Sequence, residues 1–203
     1  MDNRPIGIFD SGIGGLTILN EVRDQLPGED IVYLGDTARV PYGSRSAETV
    51  TRYTEEAIAY LIRKNVKAVI IACNTASALA LEEIESNGVD VPLFGVIKPG
   101  ARAAAAHTKN GKVGVIGTEA TIRSQAYQTQ VRRLVKDAEV IGIGCPLFVP
   151  IIEEGWQNSE VAQLTARTYL SGFSQRGIDT LILGCTHYPA LWHTIRQVMG
   201  DGV

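Results

Sequence analysis

Seven short, continuously apolar runs alternate with longer amphipathic segments along the 203 residues of the chain. Runs that do not alternate between polar and apolar residues are typical of parallel strands that are covered on both faces. Segment 46–64 has Ser46 as a predicted helix N-cap and a stripe of apolar residues at helical spacing. The pattern predicts an α/β fold with mainly parallel sheets, whose ligands lie at the carboxyl ends of the strands. The runs are "PIGIFD", "IVYLG", "AVIIAC", "PLFGV", "KVGVIG", "EVIGIG" and "TLILGC".

The two halves of the chain resemble one another. "PIGIFDSGIGG" near the start is similar to "KVGVIGTEATI" from Lys112 onward, and "AVIIACNTAS" is similar to "TLILGCTHYP". These repeats predict two pseudo-symmetric, doubly wound domains, 1–97 and 98–203, joined at the Pro-Gly segment 97–101. We expect the strand ends of both domains to face one cleft that holds the active site.

Composition excludes several classes of function. A formal net charge of −3 provides no general field that attracts nucleic acid or an anionic membrane. The start of the chain, "MDNRPIGIFD", predicts neither a signal peptide nor a membrane anchor. Three cysteines, an odd number, argue against a disulfide framework and fit a reducing compartment. We expect a cytoplasmic protein without nucleic-acid or membrane partners; the sequence does not determine the oligomeric state, and a homodimer is one assembly that it allows.

The stretch "FDSGIGGL" at 9–16 is a glycine-rich turn between a predicted strand and a predicted helix. Such a turn directs backbone N–H groups towards an anion, with Asp10 and Ser11 at its edge. The familiar nucleotide-binding motifs do not fit, because Thr17 stands where a dinucleotide fingerprint needs glycine and no Gly-Lys-Ser/Thr follows. A generic anion site and a plain tight turn with a helix cap explain the stretch equally well.

A polar loop, "GDTARVPYGSRS" at 35–46, follows the second apolar run. Its "PYG" predicts a rigid turn that presents a tyrosine and nearby backbone amides. By itself, however, the motif favours an ordinary surface turn, because proline and glycine are common in such turns.

Cys73 and Cys185 each end an apolar run and precede hydroxyl or amide side chains. If both lie at the start of a helix, the helix N-terminus lowers the thiol pKa from about 8.5 towards neutrality and makes thiolate available. The paired context therefore predicts two reactive thiols. Cys145, which precedes a proline without a polar cluster, is interpreted as a packing residue.

Zinc binding and thiol hydrolysis are alternative uses of these residues. Cys185 and His187, joined by Cys73 or Cys145, supply donors that zinc accepts, but Cys185-x-His187 is the only close pair and lacks the spacing of structural zinc sites. A papain-like hydrolase with His187 as the base leaves the second strand-end cysteine without a role.

Two thiols on opposite sides of a substrate have a specific chemical use. If one thiolate removes the proton of an α-carbon and the other thiol returns a proton from the far side, the centre is inverted. Asp10 and His187 would each assist the adjacent thiol. Glu153, predicted to be partly desolvated, would set the charge of His187.

Several of these motifs, in this order, resemble those of the glutamate racemases in the cofactor-independent aspartate/glutamate racemase family. They are "FDSGIGGLT", "GDTARVPYG", "ACNTAS", "IGTEATIRSQAY", "CPLFVP" with the following Glu, and "GCTHYP". The resemblance implies that L- and D-glutamate are the substrates, with Cys73 acting on D-glutamate and Cys185 on L-glutamate. It further implies that neither pyridoxal phosphate nor a metal is used, and that D-glutamate supplies peptidoglycan synthesis.

The resemblance also implies the roles of particular residues. The catalytic set is Cys73, Cys185, Asp10, Glu153 and His187. The substrate-binding set is Ser11, Pro41, Tyr42, Gly43, Asn74, Thr75 and Thr186. Residue physics alone leaves aspartate racemase open, and a non-catalytic module that binds acidic amino acids is the alternative of another class. Family members continue with a segment that returns to the N-terminal domain, which we expect the first domain here to lack.

Overall fold

The computed structural model describes residues 2–173 and 175–203 and divides the chain into two compact units, Met1–Val96 and Ile97–Val203. Each unit is a parallel sheet with helices, and every apolar run forms a strand, which confirms the predicted fold class. The strands are β1 (Ile6–Asp10), β2 (Ile31–Gly35), β3 (Ala68–Ile71), β4 (Leu93–Gly95), β5 (Lys112–Gly117), β6 (Glu139–Gly144) and β7 (Thr180–Gly184). The helices are α1 (Leu16–Gln25), α2 (Ala47–Arg63), α3 (Asn74–Leu79), α4 (Leu81–Asn87), α5 (Ile97–His107), α6 (Glu119–Ser124), α7 (Ala126–Leu134), α8 (Phe148–Glu153), α9 (Glu160–Leu170) and α10 (Trp192–Met199).

The sheet of the first unit has the strand order β2-β1-β3-β4, with all pairs parallel. In the register, Phe9 of β1 lies opposite Ile71 of β3. The order of the strands reverses between β1 and β3, and such a switch point is where open α/β sheets bind ligands. Asp10 and Cys73 therefore lie at the carboxyl ends of β1 and β3, beside the switch point.

The sheet of the second unit has the order β6-β5-β7, which repeats the β2-β1-β3 order of the first. Gly117 of β5 pairs with Gly144 and Gly184, so all three strands end at the same level. The switch point here lies between β5 and β7, immediately before Cys185. The Pro-Gly segment 97–101 forms the beginning of α5. Pro99 lies in the first turn of this helix, where a backbone N–H has no intrahelical partner, so its missing N–H costs no hydrogen bond.

Helix α2 shows how the local sequence produces the elements. The Ser46 hydroxyl accepts a hydrogen bond from the Thr49 backbone N–H at 3.2 Å, as expected of an N-cap. Val50, Ala57 and Leu61 on one face are buried in the core of the first unit. The helix predicted over 46–64 is confirmed. In the part of the chain that the structure describes, no helix is both long and apolar enough to cross a membrane.

Asp179 ties the turn before β5 to the start of β7. Its Oδ1 accepts from Thr108 Oγ1 at 2.7 Å, and its Oδ2 accepts from the backbone N–H groups of Lys109 and Asn110 at 2.7 and 2.8 Å. Partial burial opposes ionisation, but these hydrogen bonds outweigh it and lower the pKa of Asp179 to about 2. The ionised carboxylate therefore stabilises the second unit.

Replacing Asp179 with asparagine is expected to lower the free energy of unfolding at neutral pH by about 1–2 kcal/mol, because charge-assisted hydrogen bonds are lost. The folded pKa lies below that of the unfolded chain, so the contribution is full above about pH 4 and is lost as pH falls through about 2. Urea denaturation at a series of pH values measures both effects. Asp24→Asn, on an exposed position of α1, should leave stability unchanged. If wild type and Asp179→Asn had the same free energy of unfolding at every pH, the ionised Asp179 carboxylate would not stabilise the second unit.

Candidate functional site

Cys73 lies two residues after the end of β3 and is the N-cap residue of α3. The side chain is buried, and its Sγ donates a hydrogen bond to Ser11 Oγ at 3.3 Å. Asn74 and Thr75, in the first turn of α3, are buried beside it. The ends of β1 and β3 therefore bring together a thiol, hydroxyls and an amide.

The expected low pKa of Cys73 is wrong. Burial, together with the Asp10 carboxylate, raises the pKa of the thiol to about 11, although the Ser11 hydroxyl and the backbone N–H groups of Ser11 and Ala76 act in the opposite direction. Removal of the charged form from water outweighs the favourable helix N-terminus, which belongs to a helix of only six residues. In the free protein Cys73 is therefore a protonated thiol at neutral pH.

This balance predicts opposite shifts for two neighbouring substitutions. Asp10→Asn removes a negative charge beside the sulfur and should lower the pKa of Cys73, whereas Ser11→Ala removes a hydrogen bond to the thiolate and should raise it. The pH dependence of alkylation by iodoacetamide, measured in a Cys185→Ala background, reports the thiolate directly. Shifts of the same sign for both variants would contradict this account.

Asp10 is the last residue of β1 and is fully buried. Its Oδ2 accepts from the Gly12 backbone N–H at 3.0 Å. A Cβ at Gly15 would lie 2.4 Å from Asp10 Cβ, so only glycine lets the chain pass this close. The N–H groups of Leu16 and Thr17 also bond within the stretch, to Ile13 O and Gly14 O. The glycine-rich stretch is thus a tight turn packed on Asp10.

The "PYG" turn presents its backbone and not its tyrosine. Tyr42 begins a 3₁₀ turn, Tyr42–Ser44, and its ring is buried in the core of the first unit. The Tyr42 hydroxyl donates to Asp36 Oδ2 at 2.6 Å. Pro41 is exposed and Gly43 half-buried. Any contact of Tyr42 with a small ligand is therefore made by main-chain atoms.

Cys185 follows β7 directly and is buried. Its Sγ lies 3.9 Å from His187 Nδ1. The expectation that a helix starts at this cysteine is wrong: a 3₁₀ helix, Tyr188–Leu191, begins three residues later with His187 as its N-cap residue, and α10 follows. The imidazole of His187 is consequently a neighbour of this thiol.

His187 connects Cys185 to a carboxylate. Its Nε2 lies 3.2 Å from Oε1 of Glu153, the last residue of α8. The His187 side chain is buried, whereas 38% of the Glu153 side chain remains exposed. A carboxylate bonded to one ring nitrogen holds the imidazole so that the other nitrogen can exchange a proton with the neighbouring thiol.

The structure groups the predicted site residues in two sets, one in each unit. Asp10, Ser11, Asn74 and Thr75 lie with Cys73 in the first unit, whereas Thr186 and His187 lie beside Cys185 in the second and Glu153 contacts His187. The third cysteine, Cys145, is fully buried in the core of the second unit, which confirms its interpretation as a packing residue. Among residues 2–173 and 175–203, no three His, Cys, Asp or Glu side chains form a metal-binding group.

Sequence reasoning missed three residues that hold the site in the first unit. Tyr33 donates to Gly12 O at 2.8 Å, and Asp36 accepts from both Tyr42 and Arg39. The position of Asp36, a carboxylate immediately after β2, is the signal that could have identified it. Tyr33 and Gly12 are 21 positions apart, and Arg39 and its second partner Glu56 are 17 apart, so neither pair leaves a local pattern.

Known proteins agree with this architecture. A 56% identical glutamate racemase from Geobacter metallireducens aligns over 200 residues, which are 98% of this chain and 74% of that protein. A glutamate racemase structure from Bacillus anthracis superposes with a TM-score of 0.96 at 40% identity, covering 100% of this chain and 76% of that one. The Francisella tularensis glutamate racemase, solved in complex with D-glutamate, has a TM-score of 0.92 at 44% identity, covering 98% and 74%.

The sequence profile of the Asp/Glu/Hydantoin racemase family matches residues 16–203, nearly the whole chain. Together with relatives of about half-identical sequence, this match confirms the resemblance derived from the motifs. The chain belongs to the Asp/Glu/Hydantoin racemase family of isomerases.

Proposed function

We propose that the chain interconverts L- and D-glutamate, with Cys73 and Cys185 as the two acid/base groups. The observation that carries this proposal is the repeated position of the thiols: each follows the third strand of its unit, at the switch point of the sheet, with an ionisable partner beside it. The substrate is supported by the high identity to glutamate racemases.

In the proposed reaction the Cys185 thiolate removes the α-proton of L-glutamate, so that a C–H bond breaks and an S–H bond forms. The Cys73 thiol then delivers its proton to the opposite face, which gives D-glutamate and leaves a thiolate. The raised pKa of Cys73 suits the donor role, because the free thiol already carries its proton. The α-ammonium group of a bound amino acid favours the thiolate that the reverse reaction needs. Since the two thiols supply both proton transfers, the scheme requires no cofactor.

His187 and Asp10 assist the two thiols in different ways. His187 Nδ1, which faces Cys185 Sγ, accepts the thiol proton while Glu153 stabilises the resulting imidazolium. Asp10 raises the pKa of Cys73 and keeps the donor protonated between turnovers. Ser11, Asn74, Thr75 and the main chain of 41–43 are proposed to bind glutamate on the Cys73 side, and Thr186 on the Cys185 side.

Circular dichroism of the purified protein with L-glutamate, and separately with D-glutamate, tests the activity. Both signals should decay to zero. Decay with aspartate but not with glutamate would identify an aspartate racemase. Glutamate binding in calorimetry without any decay would favour the non-catalytic binding module.

We further propose that the D-glutamate formed supplies peptidoglycan synthesis in the cytoplasm, since both thiols must stay reduced to act. The gene should restore growth of a bacterial strain that requires D-glutamate, and a Cys73→Ala version should not. Equal rescue by both versions would show that racemisation by these thiols is not the source of growth.

A further inference from the structure

A cluster of charged and aromatic side chains, Asp36, Arg39, Tyr42, Tyr53 and Glu56, connects the loop after β2 to helix α2. One oxygen, Asp36 Oδ2, accepts from Arg39 Nε at 2.6 Å and from the Tyr42 hydroxyl at 2.6 Å. This carboxylate thus holds the middle of the loop and the start of the 3₁₀ turn together.

Arg39 extends the cluster to α2. Its Nη1 forms an ion pair with Glu56, and its Cζ lies 4.2 Å from the centroid of the Tyr53 ring. The planar guanidinium therefore meets two carboxylates and an aromatic face at once, which an ammonium group cannot do. The exposed fractions are 10% for Asp36, 30% for Arg39 and 53% for Glu56, so the Asp36–Arg39 pair is the one removed from water.

The cluster is continuous with the region around Cys73. The Asp36 backbone N–H donates to Asp10 O at 3.0 Å, directly beside the buried carboxylate. At its other end the Tyr42 ring packs against Phe9 and Tyr53, with centroids 6.1 and 5.7 Å away. The main chain of the "PYG" turn is consequently held between β1 and α2.

We propose that Arg39 is a positioning residue for substrate binding: it fixes the main chain of 41–43 without contacting the substrate itself. This inference rests on the proposed function, in which that turn binds glutamate. Without Arg39 the main chain of 41–43 gains conformational freedom. Glutamate binding must then order this turn, and the entropy lost in ordering it lowers the affinity. The proton-transferring thiols are unaffected, so the loss should appear in KM and not in kcat.

Arg39→Met is compared with Arg52→Met, which is its matched control. Arg52 also lies over the Tyr53 ring, at 5.2 Å, and it stands on the exposed side of α2. We expect Arg39→Met to raise KM for both enantiomers by about tenfold while kcat changes by less than about twofold. Arg52→Met should retain the wild-type KM. Equal KM values for the two variants, or a matching loss of kcat, would overturn the inference.

A second pair keeps the test decisive if Arg39→Met folds poorly. Glu56→Gln removes the outer partner of Arg39 at a half-exposed position, and Glu55→Gln changes its exposed neighbour. We expect Glu56→Gln to raise KM by about threefold and Glu55→Gln to leave it unchanged. A wild-type KM for Glu56→Gln, in a case where Arg39→Met is unfolded, would reject the positioning role.

Calorimetry separates this inference from the proposed function. If wild-type protein binds glutamate but does not racemise it, the racemase proposal fails, and the weaker binding expected of Arg39→Met relative to Arg52→Met still tests the inference. If wild-type protein racemises glutamate and Arg39→Met binds it normally, the inference alone fails. Absence of glutamate binding by the wild type would reject both.

Discussion

Replacing Cys73 or Cys185 with alanine should reduce glutamate racemisation by at least about 10²–10⁴-fold, the range that a single positioned acid or base contributes. Each thiol is assigned to one face of the α-carbon, so the remaining one cannot complete the inversion. Either single variant should therefore be nearly as inactive as the double variant, because the two groups act as one unit. Loss of ellipticity from L-glutamate and from D-glutamate measures the effect.

Cys145→Ala is the control for this experiment. Cys145 is buried in the core of the second unit, with its pKa raised to about 12 by burial, and it has no assigned role in the reaction. The Cys145→Ala variant should be somewhat less stable than the wild type and should keep the wild-type kcat. Substantial racemisation by Cys185→Ala, or an inactive but folded Cys145→Ala protein, would contradict the assignment of the two thiols.

Gly35→Ala should both destabilise the first unit and reduce activity. A Cβ at Gly35 would lie 2.4 Å from the carbonyl oxygen of Gly12, which is main chain and cannot rotate away. The turn that packs on Asp10 must therefore shift. We expect a stability loss of about 1–3 kcal/mol, as for other overpacked sites, and a reduced kcat because Asp10 adjoins Cys73.

Gly28→Ala is the matched substitution, since a Cβ there meets no atom within 4 Å. It should leave the thermal midpoint and kcat unchanged or slightly raise the midpoint, because alanine restricts the unfolded chain. Thermal unfolding and steady-state kinetics of both variants provide the comparison. A Gly35→Ala protein as stable and active as Gly28→Ala would show that the turn tolerates displacement.

The strands could be predicted because each is a short, uninterrupted and largely apolar run. The central strands β1 and β5 are almost wholly buried, whereas β2, β4 and β6, at sheet edges, are only partly buried. Helix α2 could be predicted because its N-cap and its apolar stripe are local signals. The positions of Cys73 and Cys185 just after strands could also be predicted, because both cysteines follow apolar runs directly in the sequence.

What could not be predicted depends on packing between distant parts of the chain. The pKa of Cys73 follows from burial and from Asp10, which a local helix-start argument does not weigh. The orientation of Tyr42 into the core is set by Phe9 and Tyr53, on other elements. Arg39 forms an ion pair with Glu56, which is 17 positions away in the sequence. Such pairs leave no periodic or spaced pattern in the sequence.

Proton transfer in heavy water tests the two-thiol mechanism most directly. If one thiolate removes the α-proton and a second, solvent-equilibrated thiol delivers the new one, the first D-glutamate formed from L-glutamate should carry deuterium at the α-carbon. The remaining L-glutamate should still be protiated. Mass spectrometry of the separated enantiomers at the earliest times measures both. Complete labelling of early product with unlabelled substrate is the expected result, whereas early product that retains the original hydrogen would show that a single base serves both faces.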